Sequence, residues 1–283
     1  LNFNNFVLSG ALGCLISGMA YADGSSPQPV KPYWQDIQVV AVNKEKPRSS
    51  FMSYADRETA LTSRFEKSPY YFLLNGTWKF FFVDSYKDLP QNITDPSVNT
   101  SSWDDITVPG NWEVQGHGVA IYTNHGYEFK PRNPQPPLLP EANPVGVYRR
   151  DIEIPASWDN RDIYLHIGGA KSGLYVYLNG KEVGYSEDSK NPAEFLINKY
   201  LQPGKNVLTL KIFRWSTGSY LECQDFWRMS GIERDVFLWS QPKASIQDFR
   251  VVSTLDDTYT NGIFKLAVDL KNHTQETKNL NVG

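Results

Sequence analysis

Apolar and polar residues alternate with a period of two in several short runs of this chain, and the three-to-four-residue spacing of an amphipathic helix is scarce. The clearest run is 174–183, Leu-Tyr-Val-Tyr-Leu-Asn-Gly-Lys-Glu-Val. Asn179-Gly180 at its centre supplies the two positive φ angles of a type I′ turn, so the run predicts a β-hairpin. Segments 78–83, 147–154, 163–167, 207–213 and 235–239 are likewise short, β-branched or aromatic, and bounded by turn residues. They predict an antiparallel β-sandwich. A turn at 202–206, Gln-Pro-Gly-Lys-Asn, leads into the 207–213 strand.

Two stretches break this rhythm. Residues 56–65 mix Arg, Glu, Ala and Leu without Gly or Pro and predict one short helix. Residues 131–144 hold six prolines and cannot form an inner strand, because each proline lacks the N–H that a ladder needs. A stiff, polyproline-like loop is expected there, serving either a site or as a strap over a sheet edge. After Trp239 two further strands are expected at 245–254 and 262–270, with Asn261-Gly262 between them. About a hundred residues are typical of a closed sandwich, so residues 242–283 read as the start of a second domain. No repeat of fixed period is apparent.

The first 22 residues carry no charge, and their apolar stretch ends in Ala20-Tyr21-Ala22 before Asp23. This is the pattern of a cleaved signal peptide rather than a transmembrane span, which needs about 20 strongly apolar residues. The expected organisation is a signal peptide at 1–22, a flexible Gly, Ser and Pro-rich lead at 23–33, a large sandwich at 34–241 and the opening of a second domain at 242–283. Export to the periplasm or beyond the cell is the expected location. The chain opens on Leu1 without a preceding basic residue, so the start of translation is expected upstream. The usual Leu three residues before a lipid-anchored cysteine is absent at Cys14, which favours simple cleavage. Cleavage would leave Cys223 alone, so the fold must rest on its core and not on disulfides.

Composition adds two constraints. The 28 basic and 31 acidic residues are well mixed and give a net charge of -3, with no basic stripe for nucleic acid and no polybasic membrane anchor. The 16 Tyr, 15 Phe and 8 Trp suit strand packing and also suit sugar recognition, since rings stack on the C–H faces of sugars.

Catalytic constellations are wanting. Hydrolysis of a glycosidic bond needs two carboxylates about 5 to 10 Å apart. Glu187, Asp188, Glu194, Glu222, Asp225, Glu233 and Asp235 are available, but no spacing singles out an acid and a nucleophile. There is no G-x-S-x-G, H-E-x-x-H or Walker loop, and the four His are scattered. One stretch is dense in useful side chains: residues 214–231, RWSTGSYLECQDFWRMSG. Its aromatic rings, acids and guanidinium groups could line a sugar subsite. Equally, its Trp side chains could bury against the sandwich while Arg214 and Arg228 pair with Glu222 or Asp225.

That run, with VPGNWEVQG at 108–116, IYTN at 121–124, VGVYRR at 145–150, LNGT-W-F at 74–80 and NGKEVGYSEDS at 179–189, resembles the sugar-binding domain of family 2 glycoside hydrolases, the β-galactosidase branch of large multidomain bacterial type. The resemblance implies an all-β architecture: a jelly-roll, galactose-binding-like β-sandwich followed by the start of an immunoglobulin-like β-sandwich. It implies hydrolysis of terminal β-D-galactose by two glutamates on a (β/α)₈ barrel that takes about 250 residues, so no catalytic residue is expected in this chain and the chain alone is expected to be inactive. Asn124 matches the family's galactose-contacting asparagine. Asp225 matches the aspartate that holds a sodium ion beside the galactose 6-hydroxyl. Magnesium is a further expectation for a full-length enzyme, with no ligands in this segment, as is a homo-oligomer. Thr217 and Cys223 stand where relatives often have acids, which alters the charge of the loop. A free-standing carbohydrate-binding module, an exported structural or adhesion protein, or another family 2 specificity, β-glucuronidase or β-mannosidase, are the alternative readings.

Overall fold

The computed structural model describes residues 31–129 and 133–279. The expected signal peptide, and residues 23–30 of the lead, lie outside the described residues. The chain from Pro32 onward forms one compact unit, and its core lies between two antiparallel sheets.

The larger sheet orders its seven strands as Ala41–Val42, Lys181–Ser186, Gly173–Leu178, Lys205–Phe213, Val145–Glu153, Gly76–Val83 and Asp104–Val108. The smaller orders four as Ala193–Leu196, Arg161–Ile167, Val236–Pro242 and Tyr71–Leu73. Side-chain alternation explains the layering. Leu174, Val176 and Leu178 face inward, against Ile163, Leu165 and Ile167 of the facing sheet. Their neighbours Tyr175 and Tyr177 point outward, yet are buried under Trp34, Ile93 and Trp103 from the covering segments. The outer face of the smaller sheet carries cross-strand ring pairs, His166 on Phe237 and Tyr164 on Trp239, and Met52 packs over them. Both faces of these strands are therefore covered.

The predicted hairpin is present. Asn179 and Gly180 have φ of 53° and 76°, and Leu178 pairs with Lys181. The Asn179 side chain donates to Asn206 Oδ1 at 2.8 Å and accepts from the Val207 amide at 2.9 Å. Buried Asn206 in turn closes the 202–206 turn on Gln202 and Gly204, so two sequence turns brace each other. The helix is shorter than expected, Arg57–Leu61 capped by Asp56; five residues form little more than one turn, because nucleation is unfavourable in so short a segment.

Residues beyond the sandwich form a hairpin of Ala244–Leu255 with Gly262–Asn272, a two-stranded sheet of its own. Its side chains Val251, Val252, Leu255, Phe264, Leu266 and Leu270 are exposed. Ser49 ties the sandwich to it through the Asp248 carboxylate and the Phe249 carbonyl. Among the described residues no helix is long and apolar enough to cross a membrane.

Candidate functional site

The polar and aromatic run 214–231 leaves the large sheet at the end of strand Lys205–Phe213 and does not rejoin it. It makes a 3-10 turn, Thr217–Tyr220, and then a short strand, Phe226–Arg228. That strand pairs antiparallel with Ile121–Thr123 in a separate two-stranded ribbon. The register Phe226↔Thr123, Trp227↔Tyr122, Arg228↔Ile121 sets Asp225 and Asn124 together at one end of the ribbon. The two residues singled out from the sequence, a hundred positions apart, are therefore brought side by side.

Alternation decides which ribbon side chains face solvent. Tyr122 and Trp227 form a directly opposed pair on the outer face, and Asn124 and Asp225 share their parity. All four are exposed. The Tyr122 hydroxyl donates to Asp225 Oδ1 at 2.8 Å, and this bond to the carboxylate holds the phenol above its ordinary pKa. Among the described residues the Asn124 amide has no protein partner.

The inner face is anchored by buried charge. Phe226 lies among three cations, with the Lys171 ammonium 5.5 Å, the Lys190 ammonium 5.3 Å and the Arg228 guanidinium 5.0 Å from its ring centre. Lys171 is only 3% exposed, and burial pushes its pKa down. Glu222 accepts from the Ser189 amide and hydroxyl at 2.8 and 2.6 Å; burial nevertheless pushes its carboxyl up. The two arginines choose other partners than Glu222 or Asp225. Arg214 lies 3.7 Å from Glu113, Arg228 lies 3.9 Å from Glu128, and both carboxylates come from the 108–129 segment rather than from their own loop. Arg228 reaches only the backbone carbonyl of Glu222, at 3.1 Å.

The turn at the loop's start is held from below. Glu187 accepts from the Tyr185 hydroxyl at 2.8 Å, the Thr217 hydroxyl at 2.7 Å and the Gly218 amide at 2.6 Å. Thr217, where an acid was noted in relatives, thus donates to an acid, which a second carboxylate could not do without a proton. Cys223 Sγ donates to the Gly126 carbonyl, joining the two strands' flanking loops. The proline-rich 133–144 stretch carries no strand or helix and lies against this loop: Asn143 exchanges two hydrogen bonds with the Trp215 backbone, and Tyr220 donates to the Leu138 carbonyl. Tyr127, Phe129, Trp215 and Tyr220 pack edge-on and tilted between them. Trp215 is buried and donates to Glu128, while Trp227 is exposed, so the two tryptophans of one loop divide between packing and surface.

Among the described residues His, Cys, Asp and Glu nowhere gather in threes suited to a metal. The hard carboxylate of Asp225 and the amide of Asn124, at one end of the ribbon, are groups whose oxygens suit a weakly held monovalent cation and do not suit a transition metal. A separate cleft of about 330 Å³ on the smaller sheet is lined by Arg48, Met52, His166, Glu194 and Phe237. Its polar groups already satisfy one another: Arg48 is bidentate on Glu194 at 3.0 Å, and His166 and Trp239 meet the same carboxylate.

Residues 72–242 match the family model described as glycosyl hydrolases family 2, sugar binding domain. A β-galactosidase of Priestia megaterium is 40% identical over 245 residues, covering 86% of this chain and 24% of that protein. A β-galactosidase of Actinobacillus pleuropneumoniae is 40% identical over 225 residues, 80% of this chain and 22% of that protein. The chain thus spans about a quarter of the length of the curated relatives it matches. Among solved structures, a calcium-binding mutant of Bacteroides uniformis β-glucuronidase 2 superposes with a TM-score of 0.56 at 21% identity, over 73% of this chain and 23% of the other. The β-glucuronidase of Bifidobacterium dentium gives 0.55 at 19% identity, over 71% and 36%. At that identity the likeness speaks for the shared β-sandwich fold.

Proposed function

The chain belongs to glycosyl hydrolase family 2, and from that premise we propose that it is the N-terminal, galactose-positioning part of an exported β-galactosidase. The observation that carries this reading is the ribbon register, which sets Asn124 beside Asp225 on an open face. An amide and a carboxylate at one end of a rigid ribbon can accept and donate to sugar hydroxyls and so fix a terminal galactose in orientation. Asp225 would also hold a sodium ion, whose charge supplies a point of attachment for a sugar hydroxyl. The same carboxylate disfavours a glucuronic acid in this place, because two like charges repel.

Catalysis is assigned to other residues of a longer polypeptide. Retention at the anomeric centre needs a nucleophile and an acid/base at close separation, and Asp225 is joined on the ribbon by an amide and two rings. Buried Glu187 and half-buried Glu113 and Glu222 are engaged in holding the loops. In this reading residues 1–22 are the export signal, 23–33 a lead, 34–241 the sugar-binding jelly roll and 242–283 the start of an immunoglobulin-like domain.

The test is a titration of the chain with methyl β-galactoside, methyl β-glucuronide and methyl β-mannoside in sodium and in choline chloride, followed by ligand-observed NMR. Binding of the galactoside alone, strengthened by sodium and lost in Asn124→Ala and Asp225→Ala, is expected. Equal binding of all three, or binding indifferent to both substitutions, would refute the assignment. Hydrolysis of a chromogenic β-galactoside by this chain alone would refute the division of labour.

A further inference from the structure

Residues 44–52 leave the edge strand Ala41–Val42 and cross the outer face of the smaller sheet. Two consecutive residues of this segment hold two different bodies. Arg48 is bound to the sandwich: its Nε and Nη2 donate to the two oxygens of buried Glu194 at 3.0 Å each, and its guanidinium carbon lies 4.3 Å from the Trp239 ring centre and 4.6 Å from that of Phe51. Ser49 is bound to the 244–272 hairpin: its amide donates to Asp248 Oδ1 at 2.8 Å and its hydroxyl to the Phe249 carbonyl at 2.7 Å. The remaining guanidinium nitrogen, Arg48 Nη1, donates to the Ser49 carbonyl at 3.0 Å. All three nitrogens are committed, and the residue that grips the hairpin is placed by the residue that grips Glu194. The Glu45 amide adds a bond to the Glu194 carbonyl at 2.8 Å.

We propose that residues 44–52 form an acid-releasable joint between the sandwich and the hairpin, in which the Glu194 charge holds Arg48, Arg48 sets Ser49, and Ser49 holds the hairpin. A neutral carboxyl offers one carbonyl oxygen where the fork of Arg48 uses two, and it leaves a nearly buried guanidinium without its counter-charge. The hairpin keeps a second attachment at its base, where Asp162 meets His273 Nδ1 at 2.8 Å and the Lys271 ammonium at 3.6 Å. Release at Ser49 therefore frees Asp248 and Phe249 and leaves the base as a pivot.

Charge sets the direction. Glu194 meets Arg48 and His166 directly, with His166 Nδ1 at 2.8 Å. Tyr164 of the neighbouring strand and Glu45 of the segment lie close by, Lys44, Lys46 and Asp188 line the same cleft, and the hairpin presents Lys271 and Asp248 to Arg48. Burial works to raise the Glu194 carboxyl, but the bonds and charges of His166 and Arg48 outweigh it and hold it below its ordinary value. Asp248 is also held low, chiefly by the Ser49 amide. A carboxyl lowered in the folded state stabilises above its ordinary value, and that contribution is lost as pH falls through the folded pKa. Both grips are firm at neutral pH and loosen in acid.

NMR of the 283-residue chain reads the joint through amide exchange at Glu45 and Ser49, corrected for the intrinsic pH dependence of exchange, and through the ring contact of Phe51 with Phe249. Between pH 7 and pH 3.5 the protection of both amides is expected to fall roughly ten- to hundredfold, the range that a hydrogen bond to a charged group carries. The Phe51 to Phe249 cross-peaks should weaken with it, while the amides of strand Gly173–Leu178 keep their protection. Glu194→Gln should show the same losses already at pH 7. Arg48→Lys keeps the charge on a single nitrogen that cannot span both Glu194 oxygens and Ser49, so Ser49 protection and the ring contact should fall at pH 7. Asp248→Asn should weaken the ring contact and Ser49 while Glu45 stays protected. Unchanged Ser49 protection in Glu194→Gln or in Arg48→Lys overturns the joint, as does a loss in acid that comes only together with strand Gly173–Leu178. Where Glu194→Gln opens that strand at pH 7, Arg48→Lys decides by the same readout.

Discussion

Glu187 offers the sharpest test of how the 214–231 loop is held. Its side chain is 3% exposed and receives three donors, from Tyr185, Thr217 and Gly218. Glu187→Ala leaves a fully buried tyrosine hydroxyl, a buried threonine hydroxyl and a backbone amide without their acceptor. Each orphaned donor costs about 1–3 kcal/mol. Removal of a desolvated carboxylate offsets part of that sum, and entering water recovers some of the rest, so a net loss of about 2–5 kcal/mol is expected. Burial, outweighing the bonds from Thr217 and Tyr185, pushes the Glu187 carboxyl above its ordinary value. A raised carboxyl binds its proton more tightly in the folded state, so its contribution to stability is largest below the ordinary glutamate value of about 4.5 and falls as pH rises through the folded pKa. The deficit of the Ala variant should follow that course. Urea unfolding monitored by tryptophan fluorescence at pH 4.5, 6 and 7.5 measures it, and a cycle with Tyr185→Phe should give a coupling of about 0.5–3 kcal/mol. A deficit under about 0.5 kcal/mol at every pH, or one that grows as pH rises, would refute the argument.

Glu194 has the opposite sign. Burial alone would raise it, but the His166 and Arg48 bonds and charges prevail and hold it below its ordinary value. Its contribution is therefore present above about pH 4.5 and is lost as pH falls through the folded pKa; Glu194→Gln should flatten the acid limb of a melting-temperature profile and lower stability by about 3–5 kcal/mol through the orphaned Arg48. Gly146→Ala would place a Cβ 2.7 Å from the rings of Phe80 and Trp112. Overpacking of about 1–3 kcal/mol is expected in urea unfolding, and because Trp112 leads into the segment bearing Glu113, methyl β-galactoside titration should also weaken.

Which parts of this molecule are legible from its sequence depends on how far apart the determinants lie. The 174–183 hairpin needs only alternation and the positive φ of Asn179-Gly180, both local, and it forms as read. The helix at 56–65 is read too long because propensity has no term for the cover that would sustain it, and only Arg57–Leu61 closes. Trp215 and Trp227 look alike in a list of residues. Their fates part because Trp215 meets Asn143 and Glu128, about seventy and ninety positions away, while Trp227 meets Tyr122 and then solvent.

The same reasoning explains the arginines and Glu187. An acid within a loop run is ordinarily solvated, so Glu187 gives no local sign that three donors converge on it. Arg214 and Arg228 lie near Glu222 and Asp225 in sequence, yet antiparallel pairing turns Asp225 outward and brings Glu113 and Glu128 from the 108–129 segment beneath the ribbon. The signal that could have found this is parity. Aligning IYTN against DFWR as two strands places Tyr122, Asn124, Asp225 and Trp227 on one face and Arg228 on the other. One face of the ribbon is thus committed to buried charge, which fixes it rigidly. The other, with no charge to bury, is left open with an amide, a carboxylate and two rings, and under the proposed function rigidity of the first would let the second hold a sugar in one orientation.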